Sequence, residues 1–403
     1  MRSLEPAGDS GKSFAPMLIR VILLWLAGNG MRMTILAVPP LIPLIHHDLH
    51  MSETEVGILA GLPVVLFACA AVPGSLLIAR FGAVATVIAG LLITAFGSAL
   101  RGAAPNVPLL YAATIVTGFG VAVMHPSMPP LARTWLPERT GFATAVYVNG
   151  LLIGEILPVT LMLPVVLPLV GGSWRLGFVF WAIPCIVIAA IIFVAAPPRP
   201  AENNSLRLSR RWWPDWNSGL LWRLGLTLGG ANASYFTTNH FLPDYLNQTG
   251  HEDLVGPALV VLNVGQLPVS FLLLWLAGRF ERRSATYLVL GAVTLMGVLG
   301  IILGNGPIIL ASAGLIGVST ASVLILVLAL PPLLSRQEDV ARMAAGMFTI
   351  SYSCAVIVPI VSGVAWDLTG LPAAAFVPMA MIALLMIGLA PTLGLTNHVL
   401  HQN

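Results

Sequence analysis

Arg32 stands in the middle of an apolar run, WLAGNGMRMTILAVPPLIPLI, residues Trp25 to Ile45. A guanidinium does not lose its proton. Arg32 follows Arg20 by twelve residues, about 18 Å along a helix, too deep to reach water from the end. A central arginine costs about 2.5–3.5 kcal/mol on insertion scales, and such charges face a bundle interior or an aqueous cavity. Gly28, Asn29, Arg32, Leu36 and Pro39 share one helical stripe. An amide and a fixed cation on one face suit an anionic or strongly polar solute, bound by charge-assisted hydrogen bonds. The alternative is an ion pair that only holds helices together.

Glu155 is the partner such a pair would use. It follows Arg139 by sixteen residues, about 24 Å up its own helix, and so reaches the depth of Arg32. Tyr147, Leu151 and Glu155 share a face. Three roles are open to Glu155: neutralising Arg32 until a solute arrives, titrating and thereby coupling protons to movement, or serving as a static partner. Further along, Asn232, Tyr235 and Asn239 form a polar stripe at i, i+3, i+7, with His240 about 100° round from Asn239. His125 can bind a solute, relay a proton, or satisfy a carbonyl beside Pro126. Tyr352 comes from the polar knot Ser351 to Ser353. For the amides and hydroxyls the competing account is interhelical hydrogen bonding, worth about 0.6 kcal/mol per contact.

These side chains need helices in a membrane to hold them. Of 403 residues, 57% are hydrophobic and 9% charged, with mean hydropathy +0.92; a soluble domain carries about 25% charged residues. A window of roughly 20 apolar residues predicts twelve spans, from 18–45 and 55–79 to 341–365 and 372–395. They divide into a cytoplasmic tail 1–17, a six-helix bundle 18–196, a basic linker 197–218, a second bundle 219–396 and a tail 397–403. Sixteen basic residues, from Arg2 and Lys12 to Arg336 and Arg342, fall on the side of the termini; Arg101 and Arg175 fall on the other, and Arg32 is the nineteenth. That bias places both termini in the cytoplasm.

No basic stripe for nucleic acid is visible. Cys69, Cys185 and Cys354 are far apart within apolar runs and read as core residues. No ATP-binding motif, catalytic set, cofactor site or metal site is expected; His46, His47 and His50, beside Asp48 and Glu53, read as a solvated loop.

The halves echo each other. LLIARFGAVAT (Leu76 to Thr86) and WLAGRFERRSAT (Trp275 to Thr286) recur about 200 residues apart. This layout resembles the major facilitator superfamily, whose loop after the second span pairs an acid with a basic residue. Here Arg80, Gly82 and Arg279 match that loop and are implied to gate the conformational change, while Ala79 and Gly278 stand where the acid is expected. Asn29-x-x-Arg32, Pro40-Leu-Ile-Pro43, Leu62-Pro63-Val-Val65, GFGVAVMHPSMP (Gly118 to Pro129), Glu138-Arg139-Thr140 and Trp366-Asp-Leu-Thr-Gly370 resemble the cyanate permease and 2-nitroimidazole transporter branch. The resemblance implies a multi-pass inner-membrane secondary transporter of all-α fold, acting as a monomer by alternating access. Its partners would be the lipid bilayer, a small solute and, if Glu155 titrates, protons. A small anion such as cyanate or a carboxylate suits Arg32; if Glu155 cancels that charge, export of a neutral heteroaromatic solute fits better. A receptor without translocation would need a large soluble region, and the longest polar stretch is the linker.

Overall fold

The computed structural model describes residues 10–51, 53–197 and 212–393. The arginines of the linker from Arg199 to Arg211 and both chain ends lie outside the described residues. The described chain is helical, with eleven helices long and apolar enough to cross a membrane. They are Met17–Leu49, Gly61–Phe81, Ala83–Gly102, Val107–Trp135, Pro137–Leu169, Trp174–Ala195, Glu252–Leu276, Ser284–Leu303, Gly306–Leu334, Val340–Thr369 and Pro372–Leu393. Gly219–Gln248 is a thirty-residue helix between the sixth and seventh of these. Its polar stripe keeps it out of the apolar set, yet it completes six spans per half.

The core shows how the halves meet. At the end where Met17 and Leu393 lie one continuous apolar core joins them, running through Leu24, Ala132 and Trp135 to Leu224, Leu330 and Ala344. At the opposite end there are two separate cores. One surrounds Leu41, Ile45 and Trp174; the other surrounds Leu242, Tyr245 and Phe376. The halves therefore share one core at one end and keep separate cores at the other.

The closed end is held by polar contacts across the halves. Arg133 donates to the carbonyl of Ser335, and Gln337 donates to Thr134 Oγ1 at 3.3 Å. Glu281, in the turn after the eighth span, is buried directly against Gly141 at the start of the fifth. Arg80 and Arg279 are exposed at this end, while Gly82 is buried with a left-handed φ of 87°.

Candidate functional site

The first span is not a continuous helix. A helix from Ser10 to Gly30 stops, Met31 and Arg32 form a turn, and a short helical segment runs from Met33 to Leu36. The amides of Met31 and Arg32 bond three residues back, to Gly28 and Asn29, a tightening that commonly ends a helix. Arg32 caps the next segment with φ −122°. Pro39 and Pro40, which lack amide protons, end that segment in turn. Irregular backbone at membrane depth is tolerated where protein surrounds it or it lines a cavity.

The first and fifth spans lie close because glycines permit it. A Cβ at Gly28 would collide with the backbone of Tyr147, one at Gly150 with that of Trp25, and one at Gly154 with that of Asn29. Small residues let membrane helices approach backbone to backbone. This brings Glu155 to Arg32: Nε and Oε1 are 3.3 Å apart, with the side chains 10% and 15% exposed. The contact is an ion pair without hydrogen-bond alignment, since Arg32 Nε has no hydrogen-bond partner in the protein. A bidentate clamp would hold the carboxylate more firmly.

Two further groups complete the cluster. Arg32 Nη2 donates to the Tyr352 hydroxyl at 3.3 Å, and that hydroxyl lies 3.0 Å from His125 Nε2. His125 Nδ1 is 3.0 Å from the carbonyl of Val121. A carbonyl only accepts, so in a neutral imidazole Nδ1 carries the proton and Nε2 accepts from Tyr352. The chain then runs in one direction, from Arg32 through Tyr352 and His125 to Val121. It crosses between the halves, because Tyr352 belongs to the second and the others to the first. Of the roles raised for His125, the bond to a helix carbonyl is present, and the second ring nitrogen is taken by Tyr352.

Aromatic rings enclose this chain. Phe67 lies 5.1 Å from both His125 and Tyr352 by ring centroids, with the Arg32 guanidinium 5.5 Å from its own centroid. Phe348 stacks on Tyr352 and meets His125 edge-on at 5.0 Å.

The opposing wall is neutral. Tyr235 donates to Asn263 Oδ1 at 2.6 Å, Asn263 Nδ2 to Asn239 Oδ1 at 3.1 Å, and Asn239 Nδ2 to the Tyr235 carbonyl at 2.9 Å. Asn232 donates to Ser351 at 2.9 Å, within the same half. His240 is exposed beside Phe236, at a ring distance of 6.5 Å. Asn29 and Tyr147 are buried in the seam of the first and fifth spans, and neither the Asn29 amide nor the Tyr147 hydroxyl has a partner in the protein. The structure thus brings Arg32, Glu155, His125 and Tyr352 together; Tyr235 lies within electrostatic reach of Arg32 and Glu155 but gives its hydroxyl to Asn263. Arg101, counted on the side opposite the termini, is fully buried in the protein.

Sequence reasoning passed over Phe67, Phe348, Asn149 and Asn263. Asn149 bridges the halves by donating to Ser270 Oγ at 2.9 Å while accepting from Trp25 Nε1 at 3.0 Å. Asn263, Gln266 and Ser270 repeat the i, i+3, i+7 spacing already noted in span seven, so that signal was present. Among the described residues no group of three His, Cys, Asp or Glu side chains can hold a metal. Asp48, beside the histidines, accepts from Trp174 Nε1 at 3.0 Å and pairs with Arg175.

Comparison with known proteins agrees with this architecture. The Major Facilitator Superfamily pattern matches residues 22–359. A transporter of Bacillus subtilis (strain 168), YycB, is 26% identical over 350 residues, 86% of each chain. The Escherichia coli (strain K12) cyanate transport protein CynX is 26% identical over 375 residues, 92% of this chain and 96% of that one. The 2-nitroimidazole transporter of the same strain is 25% identical over 246 residues, 60% of this chain and 61% of that one. Among solved structures, the transporter FucP in the outward conformation superposes with a TM-score of 0.71 at 15% identity, over 94% of this chain and 99% of that one. The proton:xylose symporter XylE does so with a TM-score of 0.72 at 12% identity, over 93% and 94%. The chain belongs to the Major Facilitator Superfamily and is a multi-pass membrane transporter of small molecules with that family's twelve-helix fold of two bundles.

Proposed function

We propose that this transporter takes up a small monovalent anion, cyanate or a small carboxylate in size, together with a proton, across the bacterial inner membrane. Both termini are cytoplasmic in this reading, in keeping with the basic residues at their end, and a cleft between the two separate cores faces outward, with Arg32 at its floor. The observation that carries it is the single loose contact between Arg32 and Glu155 at the cleft floor. An incoming anion displaces the carboxylate from Arg32. Glu155, left without its cation in a poorly solvated place, takes a proton, because burial disfavours the charged form. Tyr352 loses or keeps its hold on Arg32 according to how the halves rock, so occupancy and conformation are linked.

A second reading is transport of a neutral heteroaromatic solute. The Arg32–Glu155 pair is neutral as a unit, and the rings of Phe67, Phe348 and Tyr352 suit a planar guest. Uptake of cyanate and of 2-nitroimidazole into proteoliposomes, with and without an imposed pH gradient, separates the two. The first reading predicts gradient-driven cyanate uptake that loses its pH dependence in Glu155→Gln. Gradient-independent nitroimidazole movement without cyanate uptake would replace it by the second.

A further inference from the structure

Arg101 is a second buried cation in the same half, and the chain of contacts around Arg32 does not use it. It lies in the last turn of the third span, fully buried. Its guanidinium carbon is 4.7 Å from the ring centroid of Phe178. Nη2 donates to the carbonyl of Thr34 at 2.8 Å, while Nε and Nη1 have no hydrogen-bond partner in the protein. Among the described residues no carboxylate pairs with it. The nearby Arg175 is already matched to Asp48, and Arg32 to Glu155.

The bond to Thr34 has a specific cause. In a continuous helix that carbonyl would accept from the amide of Val38, but Val38 turns to Ile35 instead. The end of the Met33–Leu36 segment frees one carbonyl, and Arg101 occupies it. Thr34 is two residues from Arg32, so Arg101 stands within about 10 Å of the Arg32 backbone. With Arg32 and Glu155 cancelling, Arg101 leaves the described interior of this half with one unbalanced positive charge.

Resting on the reading that Arg32 is the anion site, we propose that Arg101 is the positioning residue that makes the site select an anion over a neutral solute. It holds the segment that carries Arg32 and raises the local potential without touching the solute. Charge at this range acts strongly in a poorly solvated interior.

The test has two arms. Transport arm: Michaelis constants for cyanate and for 2-nitroimidazole in proteoliposomes containing wild type, Arg101→Lys and Arg101→Gln. In Arg101→Gln the cyanate constant should rise about tenfold while the maximal rate and the nitroimidazole constant stay within about twofold, and Arg101→Lys should recover most of the difference. Equal losses for both solutes, or none, would overturn the proposal. Potential arm: a cysteine reporter, Leu36→Cys, in a background of Cys69→Ser and Cys354→Ser. Its reaction rates with the anionic 2-sulfonatoethyl and cationic 2-trimethylammonioethyl methanethiosulfonates should give an anion-to-cation ratio that falls about tenfold in Arg101→Gln and returns in Arg101→Lys. An unchanged ratio would overturn the proposal whatever the solute. A shifted ratio in a protein whose wild type transports no anion would retain Arg101 as the source of potential and reject the anion reading instead.

Discussion

The two halves share a fold but not a chemistry. Within the first half lie Arg32, Glu155, His125 and Arg101, all inside spans. Facing them, the second half offers Asn232, Tyr235, Asn239 and Asn263, bonded chiefly to one another. One wall is charged and braced by close helix packing at Gly28 and Gly154; the other is neutral and already satisfied. Duplication thus supplies the scaffold, and divergence concentrates charge on one side. Among the described residues Tyr352 is the one of the second half that hydrogen-bonds to the charged cluster, and so it reports whether the halves are together there. The turns after the second and eighth spans differ in the opposite sense. The first carries Gly82, and the second carries Glu281 at the equivalent place.

That contrast can be broken most severely at Arg32. Removing it as Arg32→Ala leaves Glu155 buried without a partner, which should lower stability by about 3 kcal/mol and depress the thermal midpoint in detergent. Arg32→Ala with Glu155→Gln should recover most of the stability but no anion uptake. Full stability of the single variant would mean that the carboxylate is not buried against its cation.

The pH dependence of the closed end should come next in size. Glu281 lies outside the spans; burial pushes its carboxyl up to about 7, against the lowering pull of Arg282, and Oε2 has no hydrogen-bond partner in the protein. An acid raised in one arrangement is favoured there in its protonated form. The seam between Glu281 and Gly141 is therefore most stable in acid and weakens as pH rises through about 7. Closed-end separation, followed by spin-label distances across Thr134 and Gln337, should shift toward open about tenfold between about pH 6 and pH 8. Glu281→Gln should hold it closed throughout, and a pH-independent distribution in wild type would refute this.

Tyr352→Phe removes the hydroxyl between Arg32 and His125. Loss of such a bond costs about 1 kcal/mol, so the Michaelis constant for the anion should change about fivefold, measured by initial uptake rates. Least of all, Asn239→Ala in the neutral wall should cost about 0.6 kcal/mol and alter uptake less than Tyr352→Phe does. The reverse order would shift the site into the second half.

Much of this was legible before any coordinates. Apolar length and the arginine bias marked the spans, and helical rise alone placed Arg32 and Glu155 at one depth. Other features depend on tertiary packing. Phe67 and Phe348 are apolar residues in apolar helices, with nothing in their spacing to distinguish them. The sequence set Arg101 only on the side opposite the termini, because its burial depends on the end of the Met33–Leu36 segment and on the ring of Phe178 from the sixth span. The acid of the eighth-span turn was sought at Gly278, three residues before Glu281, which packs against the other half.

Calorimetric titration of cyanate into detergent-purified wild type, Glu155→Gln and Arg32→Ala tests the central claim most directly. The account predicts binding to wild type, binding retained in Glu155→Gln, and affinity at least about 100-fold weaker in Arg32→Ala. Unaltered affinity in folded Arg32→Ala would contradict it.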